Sequence, residues 1–543
     1  MALGTRRLLW LVWLCFLARG SFYAVLLPIW EGFDEWAHVA YAQHLAAGRG
    51  LPRPAETRIS REIQESLGLT PLPATLTYLP MPHYSHDEYW NLEPAKRAEL
   101  RRKLEALPRS WALEEPPSGE LNYEAQQPPL YYLILAPVQL AAGDAALPTR
   151  VLLMRLVSLL IVSLVIPLGY AVVRLATRSE TLSIGAAALV AAMPGFGMTA
   201  ARVGNDGLSA VIFAALMWII LREDRARGWA RPLAAGVLLA AGLLTKAYFI
   251  TALPAIAVIH GWRLWRGRGQ RARIALEALV TLALGCAGSG WWYARNYALT
   301  GVWSGLQQVV AGPPRSVLDL VTQAPHVDWW RFVDTSFAVH LWVGNWSFLR
   351  LRGWMYHTFA LVALIALVGL AILLWRGKAS GMLRSRFPLV VAGSFYAFFW
   401  LGLAYHELTF SFINLSSGAG WYAYCLVIAE ALLLALGWWT LSPARWRAWV
   451  LPAATALYAL LDLYGAHFLL APYYTGFIAH LPSGKLASFY LSQLSHGGLA
   501  TMLARVSDGR LPPPVIGVLW AAFLLATLAL PFVCARASRR RLS

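Results

Sequence analysis

An all-α polytopic membrane protein with about 12 transmembrane helices is the fold class this sequence predicts, on three observations. Hydrophobic residues make up 58% of its 543 residues and charged residues only 14%, against roughly 25% charged in soluble domains. Apolar runs of about 20 residues recur along the chain, long enough to span a bilayer as helices. Arg and Lys gather in the short linkers between those runs, as they do in the cytoplasmic loops of membrane proteins.

The first apolar run covers about residues 8–28 and is closed by Pro28. Arg6-Arg7 and the later Ala18-Arg19-Gly20-Ser21 outline a signal peptide, but apolar character resumes through Leu27, long for a cleaved segment. A retained first helix with a cytoplasmic N-terminus is expected. Residues 29–149 then form a large external loop. Within it, 34–47 has helical character and is stopped by Gly48-Arg49-Gly50. Residues 52–92, rich in Pro, Thr, Tyr and His, are expected to be irregular. Residues 94–107 mix Lys, Arg and Glu at helical spacing, which predicts an amphipathic helix on the periplasmic surface. The apolar piece after Gln126-Gln127-Pro128-Pro129 is short for a span, hence interfacial or re-entrant.

Further spans are expected near 150–174, 182–199 and 206–222, and then 273–292, 357–375, 387–404, 421–440, 447–465 and 514–534. Residues 232–261 lie between two basic linkers, Arg222 to Arg231 and Arg263 to Arg273. Two short helices meeting near Thr245-Lys246 keep both linkers on one side; one long helix with Lys246 buried is the alternative. The hairpin is preferred because it keeps every basic linker on one side, and Lys246 as the one charge in the run supports it. Arg174 and Arg178, Arg225 and Arg227, Arg266, Arg268 and Arg271, Arg376, Lys378, Arg384 and Arg386, Arg445 and Arg447, and Arg536, Arg539, Arg540 and Arg541 all fit a cytoplasmic side. Both termini are then cytoplasmic, with external loops at 301–356 and 466–513. No internal repeat points to an inverted-repeat transporter.

The formal charge of +18 is accounted for by those linkers, and no nucleic-acid motif accompanies it, so membrane lipids rather than nucleic acid are the expected surroundings. Cys15, Cys286, Cys425 and Cys534 lie within apolar runs without a C-x-x-C pair, which argues against a disulfide framework or zinc site.

With this topology the unusual polar groups share the outer face: Asp34, Glu35, Glu124, Asp206, Lys246 and Arg295. A carboxylate there could take a proton from an acceptor hydroxyl, and cations could stabilise a phosphate leaving group. Each has a plainer use. Asp34 and Asp206 flank predicted helices and could simply cap them; function is favoured for Asp34, which Glu35 and His38 accompany, and is evenly balanced for Asp206. Lys246 could snorkel to the interface. Arg202 and Arg295 are expected mainly to anchor helix ends, and Trp291, Trp292, Trp329 and Trp330 to form an interfacial belt. Asp34 and His38, four apart, could hold a divalent cation on one helix face; a simple hydrogen bond is the commoner use of such a pair, and no metal is assigned. His83, His86, Asp87 and Glu88 match no standard metal spacing.

The order Asp34-Glu35, Tyr41-Ala42, Gly48 to Pro52, Pro128-Pro129-Leu130, Arg155-Leu156-Val157-Ser158, Asn205-Asp206, Gly242 to Lys246 and Trp292-Tyr293 resembles the GT-C membrane glycosyltransferases. Among these are the aminoarabinose transferases acting on lipid A and the dolichyl-phosphate-mannose protein mannosyltransferases. The resemblance covers roughly residues 1–300, implying a catalytic module there and further membrane helices in 301–543. It implies an inverting transfer of a sugar from a polyprenyl-phosphate donor to a lipid, glycan or protein acceptor at the periplasmic face of a bacterial inner membrane. Asp34 would be the base, Asp206 a second acid, and Lys246 the neighbour of the carrier phosphate. Glu35 completes the expected catalytic set, and His38, Glu124, Gln127 and Arg295 the substrate-binding set. The chain departs from the aminoarabinose transferases at Gln126-Gln127, where those enzymes carry Glu-Lys; Glu124 is a substitute at a different offset.

The rival expectation is a transporter or flippase of lipid-linked saccharides. It calls for polar groups within the spans, where Lys246, Glu277, Glu430 and Asp462 stand nearly alone. Glu430 and Asp462 facing each other inside the bundle would favour it.

Overall fold

The computed structural model describes residues 3–539 apart from 74–75, 77–82, 110, 113–118, 223–227, 268, 304–314, 377–382, 384, 414–415, 417 and 507–509. Arg225, Arg227, Arg268, Lys378, Arg384, Arg540 and Arg541 lie outside the described residues. Helices dominate, and the strands described are a two-residue parallel pair, Pro71–Leu72 with Tyr84–Ser85.

Every expected apolar segment is helical. Among the described residues nine helices are long and apolar enough to cross a membrane, or ten if a bent pair is one span. The remaining two, Asp206–Leu221 and Ala230–Leu243, have 16 and 14 residues. At ~1.5 Å per residue they reach about 24 and 21 Å, short of a hydrocarbon core of about 30 Å.

The bent pair is Glu180–Ala192 with Pro194–Ala200, turned by 70°. Pro194 cannot donate to the preceding turn and forces Met193 into an extended conformation, ψ 114. A Cβ at Gly195 would strike the Tyr424 hydroxyl, so only glycine lets that ring pack on the corner. The corner delivers residues 201–205 into the interior, where all five are buried.

Residues 232–261 form a hairpin, not one helix. Arg231 at the start of Ala230–Leu243, Arg263 at the end of Ala252–Arg266 and Arg273 at the start of Arg271–Thr300 all bind one carboxylate, Glu277, at 2.5, 2.7 and 3.1 Å. The chain therefore leaves and returns to the same end. Lys246, extended at φ −157, sits at the far turn. There the Tyr293 hydroxyl binds the Leu243 carbonyl at 2.8 Å and Asn296 binds the Gln126 carbonyl of the first loop at 3.3 Å.

The first loop is more ordered than its composition predicts. Glu35–Ala46 is the expected helix, with Gly48 and Gly50 at positive φ behind it. Pro94–Glu105 is the expected surface helix, burying only Leu100 and Leu104. The stretch expected to be irregular holds helices Arg61–Leu67 and His86–Asn91, each capped by a serine. A buried ion pair of Glu62 with Arg150 nails this loop to the helices, and within the loop His86 hydrogen-bonds Glu31 at 2.9 Å. Glu31 also accepts from Tyr474 and from the Ser347 backbone, both at 2.8 Å. Asp87 instead meets His480 at 2.8 Å, and Glu88 closes a capping box with Ser85.

The helix expected at 447–465 runs on to Tyr474 through a π turn at Gly465–Leu470. Residues 466–474 therefore belong to the bundle, not to the last external loop. The Trp342 indole lies against Gly465, where a side chain would collide with it, and the wider turn admits the ring.

Candidate active site

Asp34 is built into the start of Glu35–Ala46 but does not cap it. Its backbone is left-handed, φ 56, and its side chain makes no capping bond. The carboxylate accepts from the Tyr123 hydroxyl at 2.6 Å, and the residue as a whole is half-buried. Aspartate is one of the few residues that enters this backbone region readily. Burial raises the Asp34 carboxyl above its ordinary range, opposed by the Tyr123 bond and by the nearby charges of Lys246 and Arg202.

Asp206, for which the sequence balances capping and function evenly, stands at the first residue of its helix with Asn205 at the N-cap. It accepts from Lys246 Nζ at 2.6 Å through Oδ1 and from Arg202 Nη2 at 3.1 Å through Oδ2. The Tyr248 hydroxyl is 3.4 Å from Oδ1. Two cations thus flank one carboxylate beside Asp34. Lys246 lies 4.7 Å above the Tyr422 ring, and the Arg202 guanidinium 4.8 Å above Phe33, which stacks on Trp421 at 4.3 Å. Nε and Nη1 of Arg202 are buried with no hydrogen-bond partner among the described residues.

Glu124 comes from the far end of the first loop and is buried. Its carboxyl is pushed up to about 8, first by burial and then by the charge of Asp34. Gln127 hydrogen-bonds Glu124 and accepts from Asn205 at 3.1 Å, linking the loop to the Asp206 helix. His38 pairs with the Tyr132 hydroxyl at 2.8 Å, not with Asp34. Burial, reinforced by Lys246, lowers the His38 imidazole to about 3, so it is neutral at ordinary pH.

Of the residues singled out in the sequence, Asp34, Asp206, Lys246, Glu124, Gln127 and His38 come together. Two do not. Glu35 is fully buried, bound to Arg155 at 2.5 and 2.7 Å and to the Val203 and Trp30 amides. Arg155 spends its other donors on the carbonyls of Ala24, Leu27 and Pro28, so the pair fastens the loop entrance to the bundle. Arg295 binds the Leu51 and Pro52 carbonyls and covers Trp292. Arg202, expected to anchor a helix end at the lipid surface, is buried in the cluster. Its spacing of four from Asp206 was the available signal; Tyr422 offered none, lying in an apolar run far along the chain.

Among the described residues no group of three or more His, Cys, Asp or Glu is placed to hold a metal ion. Glu430 and Asp462 do not face each other: Glu430 binds His340 at 2.8 Å, and Asp462 binds Arg19 at 2.6 Å and the Tyr23 hydroxyl.

No curated protein matches the chain. Among solved structures it is similar to ArnT from Cupriavidus metallidurans bound to undecaprenyl phosphate, at 14% identity over 99% of this chain and 77% of that one, with a TM-score of 0.45. It is also similar to the Archaeoglobus fulgidus oligosaccharyltransferase tethered to an acceptor peptide, at 13% identity over 97% of this chain and 55% of that one, TM-score 0.39. A further likeness is to AglB from the same organism with an inhibitory peptide and dolichol-phosphate, at 10% identity over 96% and 56%, TM-score 0.40. Residues 17–418 match the family described as "Predicted membrane protein (DUF2142)", and the chain belongs to that family.

Proposed function

We propose that this protein is a glycosyltransferase that moves a sugar from a polyprenyl-phosphate donor to a lipid, glycan or protein acceptor at the periplasmic face of a bacterial inner membrane, with both termini in the cytoplasm. The observation that carries the proposal is a half-buried aspartate, Asp34, beside a carboxylate that holds two cations. In a single inverting displacement Asp34 accepts the proton of the acceptor hydroxyl. The oxygen attacks the anomeric carbon, and the carrier leaves as the phosphate anion. Lys246 and Arg202 stabilise that anion, and the two unpartnered donors of Arg202 are suited to a phosphate oxygen. Asp206 holds both cations in place, while Tyr422 and Phe33 supply their apolar cover. Glu124, carrying its proton at neutral pH, adds no negative charge to the site and can donate a hydrogen bond to a sugar.

The test is transfer of radiolabel from polyprenyl-phosphate sugars to a panel of lipid and glycan acceptors by purified protein in lipid nanodiscs. Asp34→Asn tolerates the left-handed backbone and is expected to reduce turnover by about 10²–10⁴-fold while leaving thermal unfolding unchanged. Full turnover in that variant removes Asp34 from the chemistry. Movement of a labelled lipid-linked saccharide across vesicles without release of carrier would establish the transporter instead.

A further inference from the structure

A groove of about 680 Å³ opens on the outside of the bundle between Ala252–Arg266 and Phe387–Ser411. Both helices belong to candidate membrane spans, so an apolar hollow on their outer face meets lipid. Its concavity has a specific origin. Gly261 and Gly393 both line the groove, and a Cβ at either would enter open space. Apart from Ser394 the rest is apolar or aromatic, including Trp262, Trp265, Leu389 and Phe398. The groove reaches the end of its first helix, where the exposed Arg266 places its guanidinium 4.9 and 4.7 Å over the rings of Trp262 and Trp265. No carboxylate pairs with Arg266 among the described residues, in contrast to neighbouring Arg263 on Glu277.

An apolar slot between two spans that ends in a cation backed by two indoles fits one occupant: a lipid with a buried hydrocarbon chain and an anionic head at the bilayer surface. We propose that this groove binds an anionic diacyl phospholipid of the surrounding membrane, one chain in the slot between Gly261 and Gly393 and the phosphate on Arg266. A polyprenyl phosphate whose head lies at Lys246 would enter from the other end of the hairpin. Trp265 is 19 positions beyond Lys246, on the order of 28 Å at helical rise. The phospholipid site is therefore separate from the transfer chemistry and stands whether or not that chemistry does.

Native mass spectrometry of the detergent-purified protein, titrated with phosphatidylglycerol, phosphatidylcholine or undecaprenyl phosphate, decides the matter. Wild type is expected to retain phosphatidylglycerol in preference to phosphatidylcholine. Arg266→Gln should weaken that retention about fivefold, the loss of one cation at the membrane surface, and Arg266→Lys should restore most of it. Gly393→Leu, whose Cβ has no atom within 4 Å and whose longer side chain occupies the slot, should lower retention of both phospholipids while Lys246-dependent binding of undecaprenyl phosphate persists. Equal phosphatidylglycerol retention in wild type, Arg266→Gln and Gly393→Leu overturns the proposal. So does a Gly393→Leu protein that loses undecaprenyl phosphate and keeps phosphatidylglycerol. A Gly261→Leu variant with unchanged thermal unfolding repeats the slot test from the facing helix.

Discussion

The two ends of the residue 230–266 hairpin both gather charge, and they do so in opposite ways. At one end a single carboxylate, Glu277, receives three guanidinium groups from three helix termini. The arginines are a fifth to a third exposed, and every carboxylate oxygen is taken. At the other end Asp206 receives two cations, yet Asp34 is only half-buried and two Arg202 donors have no partner among the described residues. The first arrangement closes a bundle. The second has bonding capacity left over, which a folding role does not need and a ligand can use.

The largest effect should come from a pair that belongs to the closing kind although it borders the open one. Arg155→Ala strands the fully buried Glu35 carboxylate and should destabilise the protein by about 3–5 kcal/mol, read as a fall in thermal midpoint and yield. A near-neutral result would mean that the loop entrance is held by something other than this pair.

Next is the buried acid. The folded state holds the Glu124 proton to about pH 8, whereas the unfolded chain releases it near 4.5. The folded form therefore binds more protons across that window, and stability falls as pH rises through it, by on the order of a few kcal/mol in all. Thermal unfolding of Glu124→Gln between pH 5 and 8 should be flatter than wild type. An identical slope would show that Glu124 ionises normally.

Glu277→Gln tests the other end. Its partners are partly solvated, so the loss should be about 1–2 kcal/mol, shrinking in high salt. A larger loss, insensitive to salt, would erase the contrast between the two ends. The smallest effect is assigned to Tyr123→Phe, about 1 kcal/mol for one hydroxyl bond to a charged group. It removes a group that favours the Asp34 anion, so the acidic limb of the transfer rate, where the base ionises, should move to higher pH.

The helices were legible because their apolar length is a local property. All twelve segments appear, and the two basic linkers, with Lys246 between them, disclosed the hairpin. The ordered pieces of the first loop were not legible. Arg61–Leu67 and His86–Asn91 are too short for periodicity and owe their place to partners such as Arg150 and Glu31, distant in sequence. In the site, adjacency misled: Asp34 and Glu35 are neighbours, but a helix start turns one toward the cluster and the other toward Arg155. Nothing local to residues 466–474 announces the π turn, whose packing partner Trp342 is distant in sequence.

The 70° corner before Pro194 has a consequence of depth. Seven residues continuing straight would climb about 10 Å along the first axis; turned through that angle they climb about 4 Å. Arg202 and Asp206 are thereby sunk by about 6 Å, below where an unbroken helix would have carried them. A visiting anion must shed water to descend that far, and at the bottom each charge attracts it more strongly than the same charge would at the rim.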